Sequence, residues 1–184
     1  MKLVILDRDG VINEDSDEFI KSVAEWVPIP GSIEAIALLC QAGYQVYIAS
    51  NQSGIGRGLL DFDALFAIHE RLQRAVAEVG GRISGIHFAP EHPDEATEMR
   101  KPAPGMLKDL ARRLGINLEG VPFVGDSGSD IEAARAAGAR PVLVLTGNGR
   151  RTKSKLVGDD VPVYKDLAEF ARTIIAQDQR PQTA

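Results

Sequence analysis

The run Leu3-Val4-Ile5-Leu6 constrains this chain more than any other stretch. It ends in two carboxylates one residue apart, Asp7 and Asp9, followed at once by Gly10. Four aliphatic residues are too few for a helix and carry no polar alternate. They read as a strand buried on both faces, as in the middle of a parallel sheet. Ligand chemistry in open α/β sheets gathers at the carboxyl ends of such strands, which is where Asp7 and Asp9 fall. Taken alone, Asp-Arg-Asp-Gly is also good turn chemistry. The later strand ends decide between the two readings.

The same device recurs along the chain. Residues 11–26 are acidic and mixed, with Glu14, Asp15, Asp17 and Glu18 close together, and read as a loop leaving the sheet. Residues 32–41 have helical spacing and stop before Gly43. A second strand over 44–49 delivers Ser50-Asn51-Gln52-Ser53-Gly54. Gly54, Gly56 and Gly58 surround Arg57 and predict a flexible turn that exposes a guanidinium. A long amphipathic helix over 61–79 follows. A third strand over 83–88 leads into Ala89-Pro90-Glu91-His92 and then Arg100-Lys101-Pro102, with a helix from Pro104 to about Leu114. The next strand, 121–124, ends in Gly125-Asp126-Ser127-Gly128-Ser129-Asp130, where Ser129 or Asp130 is placed to cap a helix reaching Ala137. A strand over 141–145, a loop or short helix over 150–160, a β-like piece over 161–164 and a helix over 167–175 complete the pattern.

Strand and helix alternate throughout, which predicts a three-layer α/β sandwich around a largely parallel sheet. Single helices account for most of the chain between the polar strand ends. This predicts one domain over 1–176, no separate cap domain, and a flexible C-terminal tail over 177–184. At 184 residues the chain can bury a full core. A net charge of -5 disfavours a nucleic-acid partner. Cys40 is the single cysteine, so no internal disulfide forms. No stretch approaches the length of a membrane span, and the first strand starts too early to leave room for a signal peptide. The expectation is a cytoplasmic protein without a membrane partner, and a monomer.

Asp7/Asp9, Ser50/Asn51, Arg100/Lys101 and Asp126/Asp130, in this order, resemble the four motifs of the haloacid dehalogenase-like (HAD) phosphohydrolase superfamily, whose fold is Rossmann-like. The resemblance implies an Mg²⁺-dependent phosphoric monoester hydrolase working through an aspartyl-phosphate. Asp7 would be the nucleophile and Asp9 the acid and then the base. Ser50 and the Asn51 backbone would donate to the phosphoryl oxygens, and Lys101 would hold the phosphate. Mg²⁺ would take Asp7, the Asp9 carbonyl and Asp126, with Asp130 holding the site from behind. The chemistry fits the residues: a phosphate monoester repels an anionic nucleophile unless a divalent cation and positive donors offset the charge.

The words Asp7-Arg-Asp-Gly-Val-Ile-Asn13, Ser50-Asn-Gln-Ser-Gly-Ile-Gly-Arg-Gly58 and Arg100-Lys-Pro-Ala-Pro-Gly-Met-Leu107 resemble a narrower family. It is that of the D-glycero-D-manno-heptose-1,7-bisphosphate 7-phosphatases, close to histidinol-phosphate phosphatases. The resemblance implies a phosphorylated sugar as substrate, on the route to the ADP-heptose of lipopolysaccharide cores. Asp15, Ser16, Asp17, Glu18, Gln52, Ser53 and Arg100 would contact it beside Asn51, with Arg57 adding charge for a second phosphate. Two departures stand out. The zinc-binding cysteines usual in this family are absent, since the matching places hold Ala89-Pro90-Glu91-His92 and Thr97-Glu98-Met99, so no zinc is expected. Ser127 stands where many relatives carry a substrate-gripping lysine. Histidinol phosphate and 3′-phosphorylated DNA are the rival substrates. A phospho-accepting signalling module is the rival of another class, disfavoured by Asp9, since a lasting phosphoaspartate needs no hydrolytic base.

Overall fold

The computed structural model describes residues 2–156 and 160–179. Six parallel strands form one sheet: β1 (Lys2–Leu6), β2 (Tyr44–Asn51), β3 (Gly85–Ala89), β4 (Pro122–Gly125), β5 (Arg140–Val144) and β6 (Val163–Tyr164). Their spatial order is β3-β2-β1-β4-β5-β6. Among the described residues five α-helices connect them, α1 (Ser32–Gln41), α2 (Phe62–Glu78), α3 (Gly105–Leu114), α4 (Gly128–Ala137) and α5 (Gly149–Lys155), and a sixth, α6 (Leu167–Asp178), follows β6. Among the described residues no separate cap domain covers the carboxyl ends of the strands.

The first strand behaves as its composition demands. Val4 and Leu6 enter one core with α1, α2 and α6, while Leu3 and Ile5 enter the opposite core with α3 and α4. Successive side chains on a strand point to opposite faces, so a strand covered by helices on both sides must be apolar without alternation. Each fully buried Leu or Ile contributes about 1.5–3 kcal/mol. The chain builds outward from β1 to β2 and β3, then restarts on the other side at β4. That reversal between β1 and β4 is the topological switch point, where parallel sheets open a crevice.

Several local expectations are corrected. The 150–160 segment begins as a helix, α5, and Val157, Gly158 and Asp159 lie outside the described residues. The last helix runs through Asp178 rather than ending at Ile175, so Gln177 and Asp178 are not a frayed tail. Asp178 is pinned there by the Tyr44 hydroxyl, which donates to it at 2.5 Å, and by Lys2 Nζ at 3.0 Å. The expected tail beyond, residues 180–184, lies outside the described residues. The glycine-rich turn exposes Arg57 as expected, but it is anchored at one point: a Cβ on Gly56 would come within 2.4 Å of the His92 backbone nitrogen. Gly56 is therefore required by the close approach of the 89–92 segment, whose Pro90 carbonyl accepts from its N–H at 2.9 Å. No helix among the described residues is long and apolar enough to cross a membrane.

Candidate active site

Asp7 and Asp126 sit one residue past β1 and β4, on either side of the switch point, and Asp130 follows in the first turn of α4. One carboxylate oxygen from each lies within 4.8 Å of the others, and all three residues are buried. Lys101 is buried among them, with Nζ 3.0 Å from Asp7 Oδ1, 2.7 Å from Asp130 and donating to the Ala49 carbonyl at 3.0 Å. Three acceptors leave the ammonium no freedom to swing. Asn51 fixes the Lys101 backbone, donating through Nδ2 to its carbonyl at 2.9 Å and accepting from its N–H at 3.0 Å. The Asn51 side chain thus ties the 100–102 loop to β2.

Asp126 fits because nothing stands where it lies. A Cβ on Gly10, whose φ is +78°, would come within 2.1 Å of Asp126 Oδ2. The turn after β1 therefore needs glycine for both conformation and space. The Asn148 N–H donates to Asp126 Oδ2 at 2.7 Å, and Thr152 donates to the Asp126 carbonyl at 2.8 Å. Asn148 Nδ2 also donates to Asp15 at 2.9 Å, joining the acidic loop to the site. Asp130 is occupied: its Oδ2 accepts from the Asp126 N–H, the Ser127 N–H and the Ser127 hydroxyl at 3.2, 3.0 and 2.6 Å. Ser127, not Ser129, caps α4, in a reciprocal box with Asp130.

Asp7, Asp9, Asp126 and Asp130 face Lys101 and Arg8, four carboxylates against two cations. A divalent cation would balance the remainder, and oxygen-only ligands suit Mg²⁺. The strain is visible in the acidities. Burial pushes Asp7 up to about 8, with Lys101 pulling the other way and Asp130, Asp126 and Asp9 adding to the rise. Burial and the Asp130 charge push Asp126 up to about 7. Burial lowers the Lys101 ammonium, but Asp130 and Asp7 outweigh it and the net shift is upward. Among the described residues Asp7 Oδ2 and Asp126 Oδ1 accept no hydrogen bond, whereas both Asp130 oxygens are engaged. Asp7 and Asp126 are thus the carboxylates with an oxygen to offer.

These groups line a cleft of about 320 Å³. Asp9, Ser50, Asn51 and Gln52 line it with Asp7, Lys101 and Asp126, while Asp15, Ser16 and Asp17 form its outer wall. Phe19, Ser129 and Asn148 also reach it. Four of the expected substrate contacts lie outside that lining. Ser53 is buried beneath the turn it begins, and its carbonyl accepts from the Arg57 N–H. Arg57 stacks over the Phe19 ring at 5.6 Å. Arg100 Nη1 donates to the Glu91 carbonyl at 3.3 Å, and Glu18 is exposed on the acidic loop. Sequence reasoning missed Arg8, Asn13 and Asn148. The Thr146-Gly147-Asn148 step past β5 was one more strand end carrying small polar residues, which was the available signal.

A family profile described as HAD-hydrolase-like matches residues 98–170. The chain is 55% identical to the D-glycero-beta-D-manno-heptose-1,7-bisphosphate 7-phosphatase of Pseudomonas putida, covering 95% of this chain and 100% of that one. It is 51% identical to the enzyme of the same name from Pseudomonas aeruginosa, covering 94% and 97%. Among solved structures it resembles the D,D-heptose 1,7-bisphosphate phosphatase from Bordetella bronchiseptica complexed with magnesium and phosphate. The TM-score is 0.94 at 49% identity, over 96% of this chain and 99% of that one. Strand-end carboxylates, buried lysine and full-length similarity agree: the chain belongs to the D-glycero-beta-D-manno-heptose-1,7-bisphosphate 7-phosphatase family of HAD-like hydrolases.

Proposed function

We propose that this protein removes the 7-phosphate from D-glycero-β-D-manno-heptose 1,7-bisphosphate, with Mg²⁺, through an aspartyl-phosphate on Asp7. The observation that carries the reading is the buried trio Asp7, Asp126 and Asp130 around Lys101, set at the switch point of a parallel sheet. The relatives supply the substrate: their name is that of this reaction.

Asp7, Asp126 and the Asp9 carbonyl would hold Mg²⁺, which when bound neutralises phosphate charge and draws the phosphoryl group toward the nucleophile. A carboxylate oxygen of Asp7 attacks phosphorus as the bond from phosphorus to the C7 oxygen breaks. Asp9 gives a proton to that oxygen and then takes one from the water that attacks the phosphoryl-aspartate, releasing phosphate and restoring Asp7. Ser50 Oγ accepts from Gln52 Nε2 at 3.0 Å, so its own proton is available to a phosphoryl oxygen. Lys101 holds a second phosphoryl oxygen and keeps Asp7 aimed.

The reading includes no zinc. The 89–99 segment holds no cysteine and a single imidazole, that of His92, whose Nδ1 accepts from the Asp94 N–H at 3.2 Å. Thr97 takes over as fastener: its hydroxyl donates to Glu91 at 2.5 Å and accepts from the Met99 N–H at 3.1 Å.

The test is turnover of purified protein with Mg²⁺ on the heptose bisphosphate, histidinol phosphate and a 3′-phosphorylated DNA end, with ³¹P spectroscopy naming the phosphate lost. Loss of the C7 phosphate with the anomeric phosphate retained is expected. A kcat/KM at least about 10-fold higher on either rival, about 1.4 kcal/mol of preference, would overturn the substrate assignment.

A further inference from the structure

Arg8 lies between the two site carboxylates in sequence and is fully buried, at 0% exposure. Charged side chains are almost never buried so completely unless paired. Here the pairing is with the neighbouring residue. Nε donates to Asp9 Oδ1 at 2.9 Å and Nη2 to Asp9 Oδ2 at 3.0 Å, a two-pronged grip that fixes both the position and the plane of the carboxylate. Nη2 also donates to Gln52 Oε1 at 3.0 Å. The Gln52 amide then donates to Asp9 Oδ2 at 2.8 Å and to Ser50 Oγ at 3.0 Å. Asn13 completes the set, donating to Asp9 Oδ1 at 2.8 Å.

A buried ion pair is a weak stability device, since apolar residues of similar volume often serve as well or better. The partner chosen here is not a core residue either. Asp9 keeps 20% of its side chain exposed and lines the cleft. A guanidinium taken wholly out of water to hold a carboxylate that faces the substrate is an orienting device. The surroundings are arranged to leave it undisturbed. His69, buried nearby, is driven down to about 4 by burial and by the Arg8 charge, so at neutral pH no second cation competes for Asp9.

We propose that Arg8 is a positioning residue, which aims the Asp9 carboxylate at the leaving oxygen and, through Gln52, aims the Ser50 hydroxyl at the phosphoryl group. This rests on the phosphatase reading above but not on the heptose as substrate. Arg8 touches no reacting atom. Its removal misdirects the acid while leaving Asp7 and Lys101 in place.

The leaving-group dependence of kcat/KM tests this, because that ratio reports aspartyl-phosphate formation and not its later hydrolysis. Wild type, Arg8→Met, Arg8→Lys and Gln52→Met are compared with Mg²⁺ on p-nitrophenyl phosphate, phenyl phosphate and glycerol 1-phosphate, with thermal melting confirming the fold. A nitrophenolate leaves without much protonation, whereas an alkoxide needs its proton from Asp9. Arg8→Met is expected to lose about 3-fold on p-nitrophenyl phosphate and about 100-fold on glycerol 1-phosphate, part of the range general acid catalysis spans. Arg8→Lys, which keeps the charge but not the fork, is expected to recover little of the loss. If Arg8→Met does not fold, Arg8→Lys and Gln52→Met are judged on the same series. Equal losses on all three esters in the folded variants, or no loss on glycerol 1-phosphate, would overturn the proposal. Wild type active on these esters but inert on the heptose bisphosphate would instead overturn the substrate assignment alone.

Discussion

The floor of the cleft and its outer wall are built in opposite ways. The floor is made at strand ends and locked from several sides. Lys101 has three acceptors, and Asp9 has four donors shared among Arg8, Asn13 and Gln52. Asp126 is pressed against Gly10 and held by Asn148. The wall is made by the exposed acidic loop around Asp15–Asp17, and beside it the 89–99 segment lines a neighbouring groove that shares Asn51, Lys101 and Ser129 with the cleft. A few side-chain hydrogen bonds hold these, including Asn148 to Asp15 and Thr97 to Glu91. The difference teaches a division of labour. The sheet fixes the chemistry of phosphoryl transfer, which tolerates little displacement, and the loops choose which ester reaches it. Damage to the floor should abolish turnover of every substrate, and damage to the wall should change the choice among them.

The largest effect should come from Asp7→Asn, which keeps the shape of the floor and removes the proposed nucleophile. Turnover of the heptose bisphosphate and of p-nitrophenyl phosphate should fall together by about 10⁴-fold or more. Undiminished turnover in that variant would break the comparison at its root.

Lys101→Met comes next, with kcat expected to drop about 10²- to 10³-fold on both substrates. It also leaves buried carboxylates uncompensated, and removing one partner of a buried pair costs about 3–5 kcal/mol. Denaturant unfolding of the metal-free variant against wild type measures that loss.

A third prediction uses the raised acidities of Asp7, at about 8, and Asp126, at about 7, against an ordinary value of 3.8. Between those limits the folded, metal-free protein keeps protons that the unfolded chain has released. Its stability therefore falls as pH rises toward about 8. Lys101 is raised above its ordinary 10.5, so its contribution is constant over this window. Mg²⁺ requires the deprotonated carboxylates, so it should counter the fall. Calorimetry should show the melting temperature of the chelator-treated protein dropping from about pH 5 to about pH 8, with the increment from added Mg²⁺ growing over the same range. A melting temperature that rises with pH in the metal-free protein would contradict the buried-cluster account.

The smallest effect belongs to the groove beside the wall. Thr97→Val removes the fastener of the 89–99 segment, worth about 1 kcal/mol for one hydrogen bond, or roughly a 5-fold change. That change should appear in KM for the heptose bisphosphate, while kcat/KM for p-nitrophenyl phosphate stays within about 2-fold. Equal losses on both substrates would show that the segment supports the floor as well.

The floor was largely legible in the sequence because its residues follow a rule of position. An apolar run with no polar alternate must be a buried strand, and a parallel sheet places its chemistry just past such strands. Asp7, Asp9, Ser50 and Asp126 stood out that way, and Lys101 by its place just before a helix in the order of the four clusters; the structure brings all five to one cleft. Arg8 was hidden because arginine is ordinarily a surface residue, and nothing local marks it as the exception. Asn148 was hidden because its partners, Asp126 and Asp15, are distant in sequence and meet it only when β5 lies beside β4. The close approach at Gly56 was hidden for the same reason, since the 89–92 segment that presses on it comes from the far end of β3.

The most direct test of the floor is to catch the phosphoryl group on it. Wild-type protein is mixed with Mg²⁺ and substrate, quenched rapidly in acid, digested and mapped by mass spectrometry. The account predicts a phosphoryl group on Asp7, in the peptide that follows β1, formed within one turnover and absent from Asp7→Asn. Full turnover with no phosphoryl-protein at any quench time, or a phosphoryl group on another residue, would contradict it.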